Sequence, residues 1–248
     1  MRTLSELIEV AKEIEQTEAN LHWFRGASGD YPLLPSLYRR DTTLEAGQGI
    51  FRDFRQMAPC FAESSSAAYS EFDFYSLARH HGLVTRLLDW SGSILVALFF
   101  SLYEKRPAKA AIWCLNPCKM NEQSIKLHEV ITSRCREVKD HLDISTKGRI
   151  QEKAIALNPQ SNNSRIKMQQ GFYTFHGRSR VPLEDQFPDC ITKIEIDPKA
   201  AESLRDELQY AGIKRSFIYP DLDNYVKDLH AEYHIFDKSN SWDEHQDY

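Results

Sequence analysis

What this sequence lacks narrows it first. No run of about 18 uncharged apolar residues occurs, and the first ten residues contain no apolar signal core, so neither membrane spanning nor export is expected and the cytosol is the expected compartment. Basic charge is in deficit: 31 Lys and Arg face 36 Asp and Glu for a net charge of -5, with no basic tail. That argues against a strongly electrostatic nucleic-acid binder, while leaving room for a local basic cleft. The five cysteines, at positions 60, 114, 118, 135 and 190, are odd in number and scattered, which fits reduced thiols better than a disulfide framework. Cys114 and Cys118 form the one close pair, and without a second pair no zinc site is expected. There is no GxGxxG, no GxxxxGK[ST] and no internal repeat, so neither a dinucleotide-binding Rossmann unit nor a P-loop is supported.

What is present is concentrated. Arg79-His80-His81-Gly82-Leu83-Val84-Thr85-Arg86-Leu87-Leu88-Asp89-Trp90-Ser91 packs imidazoles, guanidiniums, a carboxylate and hydroxyls into one short stretch. Directly after it, Ile94 to Phe100 is an apolar run that reads as a helix buried nearly all round. The polar cluster is thereby anchored to the end of a core element, the rigid backing that a functional site needs. An earlier block, Leu21-His22-Trp23-Phe24-Arg25-Gly26, reads as a strand through residues 22–25 that Gly26 ends sharply, with Pro32 and Pro35 keeping the next segment extended.

The remaining pattern is mixed. Thr3 and Glu6 resemble a capping box ahead of an amphipathic helix to about residue 17. Ile50, Phe54, Met57 and Phe61 mark a second helix in which Pro59 imposes a kink or an early end, and residues 64–68 read as a bend. Residues 72–81 read as a third helix closed by Gly82, and Ser91 or Asp89 as the cap of the buried helix. Strands are expected at 110–115, 166–175, 191–196 and just before Tyr219, with a loop at 158–164 and helices near 204–211 and from Asp221. Residues 120–155 are expected as a mobile helical insertion and 237–248 as a disordered acidic tail. Helices and strands without a regular βαβ cycle predict α+β: a single domain over 1–236 with a mixed, mainly antiparallel sheet flanked by helices.

Each polar residue has a functional and a structural reading. Arg25, beside Gly26 at a strand end, can grip a phosphate or pyrophosphate with two parallel hydrogen bonds, or pair with Asp89 in the core. Adjacent histidines on a helix point apart and chelate one ion poorly, so no metal is expected. His81 is read as contacting a substrate hydroxyl or carbonyl, against two satisfied helix-end imidazoles. Asp89 is favoured as a helix cap, and the same helix end offers Ser91 and Ser93 to an anion that Thr85 and Arg86 would border. Trp90 reads as core rather than as a stacking surface. Arg165 and Gln169 share one face of the expected 166–175 strand and Gln170 the other; a glutamine can orient a hydroxyl but cannot act as a base. Asp221 and Asp223 read as a cap and a surface residue.

Taken together, Phe24-Arg25-Gly26, Pro32-Leu33-Leu34-Pro35-Ser36-Leu37, His80-His81-Gly82-Leu83, Thr85-Arg86-Leu87-Leu88-Asp89-Trp90 and Val96-Ala97-Leu98-Phe99-Phe100 resemble the FRG domain. The resemblance continues through residues 163–172 and 219–227, covering roughly 15–230, with Val84 where the family usually has proline and Asn224-Tyr225 in place of a common Gly-Leu. It implies a largely uncharacterised activity and a bacterial or phage defence setting. The order of motifs also resembles that of ADP-ribosyltransferases: an aromatic-Arg-Gly strand, a hydroxyl-bearing strand-to-helix segment and a later strand bearing the catalytic Glu or its counterpart. That likeness implies an NAD-dependent transferase or NAD glycohydrolase, with Arg25 on the NAD phosphates or ribose. Ser91 and Asp89 would lie beside the nicotinamide, and Gln169 or Gln170 at the ribose hydroxyl. His81, Asp89, Gln169 and Gln170 are thus the expected catalytic residues. Arg25, Gly26, Thr85, Arg86, Ser91 and Arg165 are the expected binding residues for a nucleotide-type molecule. Glu195 is a further carboxylate that could enter the cleft or face solvent. The competing reading is a recognition module that holds a nucleotide, nucleic acid or protein without breaking bonds.

Overall fold

The computed structural model describes residues 1–18, 21–61, 69–102, 109–144, 152–159 and 167–233. In chain order the elements are α1 (Leu4–Glu18), β1 (Trp23–Ala27), α2 (Ser36–Arg39), α3 (Leu44–Phe61), α4 (Glu71–His80), β2 (Leu87–Ser91), α5 (Ile94–Ser101), β3 (Ala111–Leu115) and α6 (Pro117–Ile125). They continue with β4 (Ile131–Thr132), α7 (Arg136–Leu142), β5 (Ile155–Asn158), β6 (Gly171–Phe175), α8 (Leu183–Gln186), β7 (Ile191–Glu195), α9 (Ala201–Tyr210), α10 (Arg215–Ile218) and α11 (Leu222–Glu232). The strands form a mixed seven-stranded sheet in the order β4-β5-β6-β2-β1-β3-β7, parallel between β4 and β5 and antiparallel at every other junction. This is the expected α+β architecture, a sheet flanked by helices. No described helix is long and apolar enough to cross a membrane.

Side-chain alternation along the strands sorts the core into faces. On one face Phe24, Ile112, Cys114 and Ile194 pack beneath α1, α5 and α9. Further along that face Leu87, Tyr173, Phe175, Ile155 and Leu157 pack beneath α3, α4 and α7. The opposite face carries Trp23, Leu88, Trp90, Leu115 and Ala156, covered by Leu33, Met120, Leu183 and Phe187. Asp89 pairs in register with Tyr173, two residues from Leu87, and so belongs to the first face, between its two apolar clusters.

The helix α5 is the hinge pin of this arrangement. Ile94, Val96, Ala97, Leu98, Phe99 and Ser101 are all buried, as an apolar run without a polar face requires. A β-carbon on Gly26 would run into the carbonyl oxygen of Ala97 and lie 2.5 Å from the Ser101 nitrogen. The helix can therefore lie directly on the β1 backbone only because residue 26 has no side chain. At α4, Ser70 and Asp73 form a full capping box, and Gly82 closes the other end at φ 83°.

Several expectations are corrected. Residues 87–91 form a strand, so Asp89 is in the middle of β2 and Ser91 at its end, and neither caps α5; the N-cap is Ser93, without a side-chain cap bond, and its nitrogen donates to Ser91 Oγ at 3.0 Å. Strand β6 begins at Gly171, which leaves Gln169 and Gln170 in the preceding turn, with Gln170 at φ 47°. The segment before Tyr219 is the short helix α10 rather than a strand, its Ser216 nitrogen satisfied by Asp228 Oδ2 at 2.8 Å. Pro59 does not end α3, which continues to Phe61. The expected insertion contributes β4 to the sheet and runs into β5 at Ile155, and Met120, Val138 and His141 within it are fully buried. The bend at 64–68, the tail at 237–248 and most of the 158–164 loop lie outside the described residues.

Candidate functional site

Asp89 is the centre of a charged cluster. From the last turn of α4, Arg79 donates through Nε at 3.1 Å and through Nη2 at 2.7 Å to the same oxygen, Oδ2. Arg79 is 7% exposed, whereas the Asp89 side chain keeps 41% of its surface open, so the pair is rooted in the core and faces outward. β1 and β2 meet at Phe24 and Ser91; one residue further along β1, Arg25 reaches across and donates through Nη1 to the Asp89 carbonyl at 2.7 Å. Arg39, at the end of α2, feels both Arg79 and Asp89. Beside them Tyr173 Oη lies 3.2 Å from His80 Nε2 and 3.0 Å from Ser76 Oγ, and the His80 charge bears on Asp89 as well.

Electrostatics distinguish the members. Burial pushes the Asp89 carboxyl up, but the guanidiniums of Arg79 and Arg25, the Arg79 hydrogen bond and His80 outweigh it and hold the group at about 2. Asp89 is therefore ionised at neutral pH. Its field raises Arg79. Arg25 moves the other way, down to about 10, because desolvation and the charges of Arg39 and Arg79 exceed the help from Asp89. Arg39 is also lowered, by desolvation first and then by Arg79. Arg79 alone bonds the carboxylate, Arg25 bonds the Asp89 carbonyl, and Arg39 is near enough to feel the Asp89 charge, so three guanidiniums surround one carboxylate with two formal positive charges to spare on a chain whose total is negative. Such a surplus, partly desolvated, is the kind of field that attracts an anion.

Residues 20–110 match the family model described as FRG domain. Over residues 20–110 the chain is similar to the FRG domain. No curated protein and no solved structure matches the chain. The FRG match takes in Arg25, Arg39, Arg79, His80 and Asp89, so every charged member of the cluster falls inside it, while Tyr173 and the blocks at 163–172 and 219–227 fall outside.

Within the matched region the structure brings together Arg25 and Asp89, with Gly26 behind them as the seat of α5. His81 is exposed and forms the C-cap of α4; the imidazole beside Asp89 is that of His80. Thr85 is fully buried, its Oγ1 accepting from the Leu87 nitrogen at 3.3 Å. Arg86, 2% exposed, donates to the carbonyls of His176 and His141 and covers the Phe175 ring at 4.5 Å, so it borders no anion. Ser91 Oγ donates to the Gln169 carbonyl at 2.7 Å, Gln169 Nε2 donates to the Ile218 carbonyl at 3.2 Å, and the Gln170 carbonyl accepts from Gly92 at 2.9 Å. Arg165 lies outside the described residues. Glu195 ends β7 at the sheet edge, away from Asp89. Trp90 is core, donating to Thr174 Oγ1 at 3.1 Å.

Four members are not among the expected site residues: Arg39, Arg79, His80 and Tyr173. For two of them a signal existed. Ser76, Arg79 and His80 stand at i, i+3 and i+4 and must share a face of α4, the face that meets Asp89 and Tyr173. Arg39 offers none, since its position depends on the path of the chain from β1 into α2.

Proposed function

We propose that this FRG-like domain binds NAD, or a closely related nucleotide, through its diphosphate at Arg25, Arg39 and Arg79, and acts on it as a divergent ADP-ribosyltransferase or NAD glycohydrolase. The observation that carries the reading is the surplus of guanidinium around one ionised carboxylate. Topology adds support: the three segments that resemble the transferase motifs fall on or beside β1, β2 and β6, which are hydrogen-bonded neighbours at the middle of the sheet. NAD would be the substrate. Its diphosphate carries two negative charges, which the two surplus positive charges suit.

Breaking the bond between nicotinamide and ribose sends the bonding pair onto the pyridine nitrogen and leaves a cationic, oxocarbenium-like ribosyl group. Asp89 can answer that charge: Oδ2 is held by Arg79, and Oδ1 makes no hydrogen bond among the described residues. A water or acceptor hydroxyl then attacks the ribosyl carbon and loses its proton, for which His80 is the adjacent base. Draining a cofactor shared by many reactions would suit a bacterial or phage defence effector. The test is nicotinamide release from NAD by the purified protein. Asp89→Asn is expected to lower turnover about a hundredfold or more, and Arg25→Ala to weaken binding.

A second reading, a recognition module that binds without reacting, is favoured by one finding. Ser91 and Gln169, expected beside the ribose, spend their side chains on backbone partners. Stabilisation of the protein by ADP-ribose without nicotinamide release would establish that reading in place of the first.

A further inference from the structure

The charged cluster accounts for the anionic half of a nucleotide and leaves its planar half without a seat. Between β1 and α2 the chain passes through Gly29, Asp30 and Tyr31. Asp30 accepts from Lys109 Nζ at 2.7 Å and from Lys193 Nζ at 3.3 Å, so this loop is tied to β7 and to the residues that lead into β3. Next to it the Tyr31 ring rests against Gly29: a β-carbon there would lie 2.7 Å from Cε2, 3.0 Å from Cζ and 3.3 Å from Cδ2. The glycine lets the ring lie down on the backbone, and 53% of Tyr31 still faces solvent. Tyr31 stands in the short segment that leads from β1 into α2, and is among the groups whose charge bears on Arg39 at the end of that helix. Single exposed aromatics are ordinary on a protein surface. This one differs in having a backbone support on one side, an open side, and a guanidinium with surplus charge as its neighbour.

Resting on the nucleotide reading above, we infer that Tyr31 is a stacking platform for the ligand's base, with Arg39 holding the phosphate that lies between the base and Asp89. Every base presents a π-face, so the platform distinguishes nucleotides from inorganic anions while discriminating weakly among bases. Tyr31 is a positioning residue for binding and takes no part in bond breaking.

Calorimetric titration of the full chain with two probes, ADP-ribose and inorganic pyrophosphate, tests this. Tyr31→Ala should weaken ADP-ribose about tenfold or more and leave pyrophosphate unchanged, while Tyr31→Phe stays within about twofold of wild type. Gly29→Ala, whose new methyl displaces the ring without entering any core, should follow Tyr31→Ala. Arg39→Ala should weaken both probes. Unchanged ADP-ribose affinity in Tyr31→Ala and Gly29→Ala, with both probes weakened by Arg39→Ala, would overturn the platform and spare the anion site. Wild-type protein that binds neither probe, or an Arg39→Ala variant that binds both as wild type does, would overturn the nucleotide reading itself. Thermal melting of each variant shows that the fold is intact.

Discussion

Mild acid should destabilise this protein through two buried histidines. His141 on α7 and His176, the residue after β6, are both fully buried. They flank Arg86, which forms no ion pair among the described residues and is satisfied by the carbonyls of those same histidines. Burial first, and then the Arg86 charge, lowers His141 to about 4. Burial, Arg86, His141 and Arg25 lower His176 to about 3. The His141 Nδ1 and Nε2 atoms stand 3.1 and 3.3 Å from the Glu137 and Lys153 carbonyls, and a neutral ring has one N–H to offer the two. Both contacts favour the imidazolium, yet desolvation and Arg86 prevail.

The sign follows from linkage. In the unfolded chain each imidazole takes up its proton near the ordinary value of 6.5, whereas the folded protein refuses it until pH 3 to 4. Across that window the unfolded state binds more protons, so stability falls as the pH falls. At pH 5 each histidine costs about 2 kcal/mol, from 1.5 pH units at about 1.4 kcal/mol per unit, and the pair about 4 kcal/mol. Against a typical domain stability of about 5–15 kcal/mol, that is a large share. Asp89 acts in a separate window: its depressed value preserves its contribution until the pH drops below 3.8 toward 2. Urea unfolding at pH 7 and pH 5 should therefore show a loss of about 3–4 kcal/mol at unchanged m-value, and His176→Leu should remove about half of it. A wild-type stability at pH 5 within about 1 kcal/mol of that at pH 7, or an equal loss in His176→Leu, would refute the reasoning.

Two further outcomes follow from the packing around Asp89. Gly26→Ala places a methyl on the Ala97 carbonyl and the Ser101 nitrogen, and backbone cannot yield as a side-chain tip does; a loss of about 3 kcal/mol or more is expected in chemical denaturation, and a stable Gly26→Ala protein would mean that α5 does not lie on β1 in this way. Asp89→Asn strands the Arg79 charge in the core; a fully buried pair would cost about 3–5 kcal/mol, and the open side of Asp89 reduces this to about 1–3 kcal/mol. The double variant Arg79→Met/Asp89→Leu should regain part of that loss, because no unpaired charge is left behind, and thermal unfolding of the three proteins decides it.

What was readable in the sequence depended on how far each residue's partners lie along the chain. The α4 cap and the Gly82 closure are local, and both are read directly from spacing. The apolar run of α5 declares its own burial. Strand β2 hides for a physical reason: Leu87, Leu88, Trp90 and Ser91 are all buried because both faces of the sheet are covered, so no alternation survives to mark it. Asp89 then looks like a cap beside a helix start, when it is a charged residue carried on a central strand.

The same distinction explains the site. Arg25 and Asp89 stood out because glycine and carboxylate neighbours gave them a role at short range. Arg86 stood out equally and was misplaced, since its partners, the carbonyls of His176 and His141, are 90 and 55 residues away, and no local pattern could say that it would be drawn inward. Arg39 is the converse case. Nothing near it in sequence marks it, yet it feels the cluster because α2 returns the chain to Thr85, just ahead of β2, where Leu37 donates to the Thr85 carbonyl and Ser36 Oγ accepts from the Thr85 nitrogen. The guanidinium at position 25 and the one at position 86 therefore carry opposite meanings in similar sequence surroundings. One is half-buried and bonded to the strand that carries an ionised carboxylate; the other is drawn inward against two carbonyl oxygens and an aromatic ring, where its charge helps to keep two imidazoles neutral.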